Sequence, residues 1–237
     1  MQFAADLHVH TVSSGHAYST LEEYIQQAKK IGLPAFAMTD HGPAMPGGPH
    51  YYHFANLRMV PPTIDGIRIY RGVEANIIDA DGRIDLTEAD LKWGGLEVVI
   101  VALHPRCGYE DQGERKNTDV LIKALQNRHI NIIAHPGNPK YPINIEAIVA
   151  EAKQRRVLIE LNNSSAFSRP GSEQLCLQIA QEVKKQGWQV ALGTDSHLSL
   201  MLGNFDNSLE LIRQAELTEE NIVNTSLNKI ESFLART

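Results

Sequence analysis

Cysteine is scarce. The 237 residues hold only Cys107 and Cys176, with no C-x-x-C pair, and a reduced cytoplasm suits them. A chain of this length needs no disulfide or structural metal merely to fold. Long apolar runs are missing as well: no stretch reaches the about 20 residues of a membrane span. The opening MQFAADLHVH has neither a basic nor an apolar leader segment, so no secretory signal is expected. No run of Lys or Arg appears and the formal net charge is −6, which puts nucleic acid low among the expected partners. There is no internal repeat, low-complexity segment or linker. Hydrophobic residues at 43% and charged residues at 21% exclude a disordered chain, and the length suits a single domain over 1–237.

Histidine, by contrast, is abundant. There are ten, about twice ordinary usage. Around them the chain alternates short β-branched runs with helical stretches. Strands are expected at Phe3–Val9, Ala35–Thr39, Arg68–Glu74, Val98–Leu103, Ile130–Ala134, Val157–Asn162 and Val190–Thr194. Most are continuous apolar runs, as a parallel sheet covered on both faces requires. Ser19 with Glu22 reads as a capping box for a helix that Gly32 stops. Asn117 or Thr118 is expected to cap Asp119–Asn127, and Ser172 to cap Glu173–Gln186 before Gly187. Further helices are expected at Ile145–Arg155, Phe205–Gln214 and Leu227–Ala235. Gly42–Thr63, with five prolines, reads as an irregular loop, and Asp79–Gly95 as a turn or short hairpin. Seven unbroken β/α steps point to a closed or nearly closed α/β barrel. A doubly wound sheet is disfavoured, because no Gly-rich phosphate loop follows the first strand.

Metal-ligand residue types gather at the strand ends. The first strand ends in His8-Val9-His10, the second in Asp40-His41, the third in Glu74. The fourth ends in His104, the fifth in His135, and the seventh in Asp195-Ser196-His197. In an α/β barrel these C-terminal ends form the rim where catalytic groups collect. His16 lies in the first loop and can fold back over that rim. Alternate strand residues face the same way, so His8 and His10 can reach one ion, and Asp195 and His197 likewise. Imidazole with carboxylate suits Zn, with Mn and Fe as alternatives. Nine donors are too many for one or two ions with open positions; three divalent ions sharing a bridging carboxylate fit better.

Each signal has a plainer reading when taken singly. H-x-H in a strand is commonly packing, His-Pro commonly a turn, a lone Glu74 a buried ion-pair partner. Their concentration on one rim is what carries the argument. His129 falls at the opposite barrel end and reads as a surface residue. Cys107 reads as structural. His50 and His53, beside Tyr51 and Tyr52 in the proline-rich loop, either line a substrate pocket or are simply exposed.

The order D-L-H-x-H-T, T-D-H, G-x-E, strand-end H, H-P and D-x-H, running from Asp6 to His197, resembles the PHP family, named for polymerase and histidinol phosphatase members. More narrowly, His16-Ala17-Tyr18-Ser19-Thr20-Leu21, Gly72-Val73-Glu74-Ala75-Asn76, Ala134-His135-Pro136-Gly137-Asn138-Pro139-Lys140, Asn162-Asn163-Ser164-Ser165 and Gly193-Thr194-Asp195-Ser196-His197 are similar to its YcdX-type phosphatases. The resemblance implies a distorted (β/α)7 barrel. It implies that His8, His10 and Asp195 hold one ion, with Glu74 bridging to a second that His104 and His135 complete. His16, His41 and His197 would hold a third. It also points to a homo-oligomer, of which a trimer is one form.

The expected activity is metal-dependent hydrolysis of a small phosphate monoester by a metal-bound hydroxide. Glu74, Asp195, His197 and Asp40 are the candidate catalytic residues, with Asp40 either orienting the His41 ring or capping its strand. Arg169, in S-R-P-G-S, is a candidate for a bidentate phosphate contact, and His53 for the substrate pocket. Three other classes compete: a metal-dependent amidohydrolase, a PHP-type exonuclease acting on single-stranded DNA ends, and a non-enzymatic metal-binding module.

Overall fold

The computed structural model describes residues 1–235; the last two residues of the expected domain lie outside the described residues. The strands are β1 (Ala5–Val9), β2 (Ala35–Met38), β3 (Thr63–Ile64), β4 (Ile67–Asn76), β5 (Val98–Ala102), β6 (Ile132–Ile133), β7 (Leu158–Asn162) and β8 (Val190–Gly193). The helices are α1 (Leu21–Ile31), α2 (Tyr51–Asn56), α3 (Glu88–Gly94), α4 (Glu114–Ala124), α5 (Ile145–Arg155), α6 (Ser165–Ser168), α7 (Glu173–Gln186), α8 (Asp206–Gln214) and α9 (Leu227–Leu234). Seven strands pair in parallel in the order β1-β2-β4-β5-β6-β7-β8, and β3 adds a two-residue antiparallel stub to β4.

The continuous apolar runs follow from burial on both faces. Along β5, Val98, Ile100 and Ala102 enter an inner cluster, while Val99 and Val101 face the helices. In β2, Ala35 and Ala37 point inward and Phe36 and Met38 outward. Small inward residues let the strands curl. Ile230 and Phe233 of α9 join the same inner cluster.

The barrel is nearly closed. No ladder joins β1 to β8, but both ends of the seam are laced. At one end the Asn224 amide donates to Ala5 O and Leu192 O, at 2.9 Å each. At the other, Asp195 N donates to His8 O at 2.8 Å and His10 N to Ser196 O at 2.9 Å. Between them, buried Asp6 accepts from Thr194 N and Oγ1.

Several local expectations are corrected. The α1 capping box is Thr20 with Glu23, one residue later than expected. Helix α4 starts at Glu114, so Asn117 sits inside it rather than capping it. There its side chain binds Asp111 Oδ1, Tyr109 OH and Pro142 O, organising the preceding loop. Helix α7 has the expected bounds, but Ser172 makes no side-chain cap; its hydroxyl donates to Ser165 O. The proline-rich segment holds α2, anchored by buried Phe54 and Leu57 and too short to show a period. The segment 79–95 begins with the expected turn, closed as a minimal hairpin by an antiparallel bridge between Ile77 and Ile84, and then adds a helix that was not expected, α3, capped by Thr87 with Asp90 and stopped by Gly95.

Candidate metal centre

Glu74, near the end of β4, is fully buried and lies at the centre of five imidazoles. Its Oε2 is 2.7 Å from His41 Nδ1, 3.4 Å from His8 Nε2 and 3.5 Å from His10 Nε2. Its Oε1 is 2.7 Å from His135 Nε2 and 3.4 Å from His104 Nε2. Asp195, after β8, brings Oδ1 to 3.1 Å from His10 Nε2 and 3.7 Å from His8 Nε2. The His16 ring lies 4.9 Å, centroid to centroid, from both His41 and His197. All nine expected donors are thus brought to one rim.

Second partners fix how the rings point. His8 Nδ1 meets Glu160 Oε1 at 2.7 Å and His104 Nδ1 meets Asn76 Oδ1 at 2.8 Å. Both acceptors demand a proton on Nδ1, which leaves Nε2 turned to the rim. The Ser14 hydroxyl gives its one proton to Asp40 at 2.7 Å, so His10 Nδ1 donates to Ser14 Oγ at 3.0 Å. His197 Nδ1 donates to the Asp195 carbonyl at 3.0 Å. His135 and Asp195 take the left-handed backbone, with φ of 29° and 55°, a conformation costly for non-glycine residues and typical of functional sites.

Burial opposes the charge on Glu74, yet His104, His8 and His41 outweigh it and hold the carboxyl well below its ordinary range. Burial likewise opposes ionised Asp195, and His8 and Arg169 overcome it. Burial lowers His10 well below 6.5 and His135 to about 4. His8 differs: burial disfavours its charge, but the Glu160, Glu74 and Asp195 carboxylates raise it well above 6.5.

The donors fit divalent cations. Glu74 Oε2 and His41 Nδ1 are buried and 2.7 Å apart, yet neither has a hydrogen-bond partner among the described residues. Lone pairs that approach without bonding one another need a shared positive charge. Three trios converge within 4.8 Å: His8, His10 and Glu74; His41, Glu74 and His104; His10, His41 and His197. These cut across the grouping the resemblance implied, since His10 and His41 each join two trios.

Above this rim opens a cleft of about 640 Å³, floored by His16, His41, His104, Asp195 and His197, with Arg169 at its side. Arg169 Nη2 donates to Asp195 Oδ2 at 3.0 Å. Asp40 does not orient the His41 ring. It is buried behind the rim, accepting from Thr11, Ser14 and His53, and reaches His10 through Ser14. His53 is brought to Asp40, at 3.1 Å, and does not line the cleft. Cys107 is buried and unpaired, and His129 meets Glu88 on the surface.

The sequence reading missed Glu160, Ser14 and Asn76. Glu160 holds His8 and accepts from His135 N at 2.7 Å. Its signal was a carboxylate inside the apolar run Val157–Asn162. A side chain on Gly193 would collide with both Glu160 and the His8 Cβ, so the glycine clears room for that pair.

A model of the PHP domain matches residues 6–223. The chain belongs to the PHP family. A probable phosphatase from Caldanaerobacter subterraneus subsp. tengcongensis is 45% identical over 99% of this PHP chain and 92% of its own length. One from Acetivibrio thermocellus is 44% identical, covering 100% of this chain and 97% of its own. Among solved structures, the histidinol phosphate phosphatase of Lactococcus lactis, crystallised with zinc, L-histidinol and phosphate, has the same fold. It superposes with a TM-score of 0.61 at 18% identity, over 91% of this chain and 94% of that one. Among the described residues no helix is long and apolar enough to cross a membrane.

Proposed function

We propose that the chain is a metal-dependent phosphatase that hydrolyses small phosphate monoesters at a trinuclear rim. The observation that carries this is Glu74: one buried carboxylate whose two oxygens face five imidazoles, in a chain whose close relatives are named probable phosphatases. Zinc is the favoured ion, since imidazole and carboxylate suit it and the Lactococcus lactis neighbour holds it. Bound there, such ions neutralise phosphoryl oxygens and bring the pKa of a water toward neutrality.

The chain's own residues supply the rest. His8, His10, Asp195, Glu74, His104, His135, His16, His41 and His197 are the proposed ligands. Glu160, Asn76 and the Asp40–Ser14 pair hold His8, His104 and His10 in the tautomer that offers Nε2. Arg169, already oriented by Asp195, offers its guanidinium to the phosphate. Exposed His16 and half-buried His197 face the cleft. In balance, a water oxygen bonds to phosphorus, the ester P–O bond breaks, and the departing alkoxide takes up a proton from that water.

Release of phosphate from a panel of monoesters tests this. Turnover should vanish in chelator and return on adding zinc or manganese. Hydrolysis unchanged by exhaustive chelation would refute the metal role.

A further inference from the structure

The floor of the cleft is polar, but its walls are not. Tyr18, Met45, Phe167, Leu198 and Met201 form them. Tyr18 is 76% and Phe167 63% exposed, and Leu198 and Met201 are also exposed. Large apolar groups gathered at the mouth of a cleft mark ligand contact, because each loses water-facing surface when a ligand arrives. The wall serine hydroxyls are already engaged. Ser164 Oγ donates to Thr194 O, Ser168 Oγ donates to Ser164 O, and Ser196 Oγ pairs with the Tyr24 hydroxyl. A sugar or polyol would bring hydroxyls that lose water and find few fresh donors.

Charge narrows the choice further. Arg169 is the only Lys or Arg among the described residues lining the cleft, and it already binds Asp195 and Ser168. A second phosphate, or the repeating charge of a polynucleotide, meets no further fixed cation there.

We propose that the cleft selects phosphate monoesters of alcohols carrying an aromatic or similarly flat apolar group. The phosphate lies on the metal-ligand floor beside Arg169, and the apolar group packs on Tyr18, Phe167, Leu198 and Met201. This rests on the phosphatase reading and adds its substrate class.

The test compares two alkyl esters of matched reactivity, 2-phenylethyl phosphate and glycerol 1-phosphate, with the metal-loaded enzyme. Calorimetric binding of benzylphosphonate and methylphosphonate, which are not hydrolysed, runs alongside. The phenyl compounds should be favoured about tenfold or more in kcat/KM, through KM, and in binding. Phe167→Ser and Tyr18→Ser should each cut that preference about three- to tenfold. Both side chains are exposed, so the fold is not at stake. Equal binding of the two phosphonates, or a preference unmoved by both substitutions, would overturn the proposal. Preferential benzylphosphonate binding with neither ester hydrolysed would uphold the apolar wall and refute the phosphatase reading.

Discussion

Glu160 shows how a site can depend on a residue that never reaches its centre. With one oxygen it accepts a hydrogen bond from His8 Nδ1, and with the other it accepts from the His135 backbone N–H. Together with Glu74 and Asp195 it keeps His8 protonated near neutrality in the metal-free chain. A cation entering the His8, His10 and Glu74 trio must displace that proton. Metal addition near pH 7 is therefore expected to release at least one proton per chain, seen as acidification of a weakly buffered solution. In Glu160→Gln the release should shrink and metal affinity fall about tenfold or more. An unchanged release and affinity would remove Glu160 from the account. The proposed ligands could be picked out in the sequence because their chemistry restricts residue type and their position restricts strand register. Glu160 was not, because it meets His8 from 152 residues away.

Several elements are tied together at the cleft end of β4. Asp85, in the segment before α3, accepts from Asn76 N at 2.9 Å, Asn76 Nδ2 at 2.6 Å and Ala44 N at 2.9 Å. Asn76 in turn holds His104. One carboxylate thus couples the proline-rich loop, the end of β4 and a proposed metal ligand. Asp85→Ala should cost about 1–3 kcal/mol in denaturant unfolding and weaken metal binding, because buried N–H groups lose their acceptor. Unaltered stability would contradict that coupling. The seven barrel strands could be read from short apolar runs because burial on both faces demands such runs, although β6 is only Ile132–Ile133 where Ile130–Ala134 was expected. Helices α2 and α3 were harder: each is under eight residues and is set by caps and anchors such as Phe54 rather than by a repeat. Asn117 misled for a related reason, since a residue favoured at caps is here a buried hub binding Asp111 and Pro142.

The whole molecule concentrates titratable groups where strands converge, and its stability must follow pH accordingly. His135 stays neutral to about pH 4 and His10 to well below 6.5, whereas both take protons near 6.5 once unfolded. Between those values the unfolded chain binds more protons, so stability falls as pH drops from 6.5 toward 4. Glu74 and Asp195, ionised well below their ordinary values, extend the loss at lower pH as they are protonated. Burial raises Asp6 to about 6, so Asp6 works in the opposite direction and gives back part of it, whereas the stability from raised His8 is already complete below 6.5 and is lost only as pH rises above that value. The metal-free protein should melt several degrees lower at pH 5 than at pH 7. A flat or rising melting temperature would contradict this balance. The measurement closest to the central claim is metal content per chain, by mass spectrometry, of protein purified without chelator. Three ions are predicted from nine donors on one rim; two or fewer, unchanged on adding zinc or manganese, would contradict the trinuclear reading.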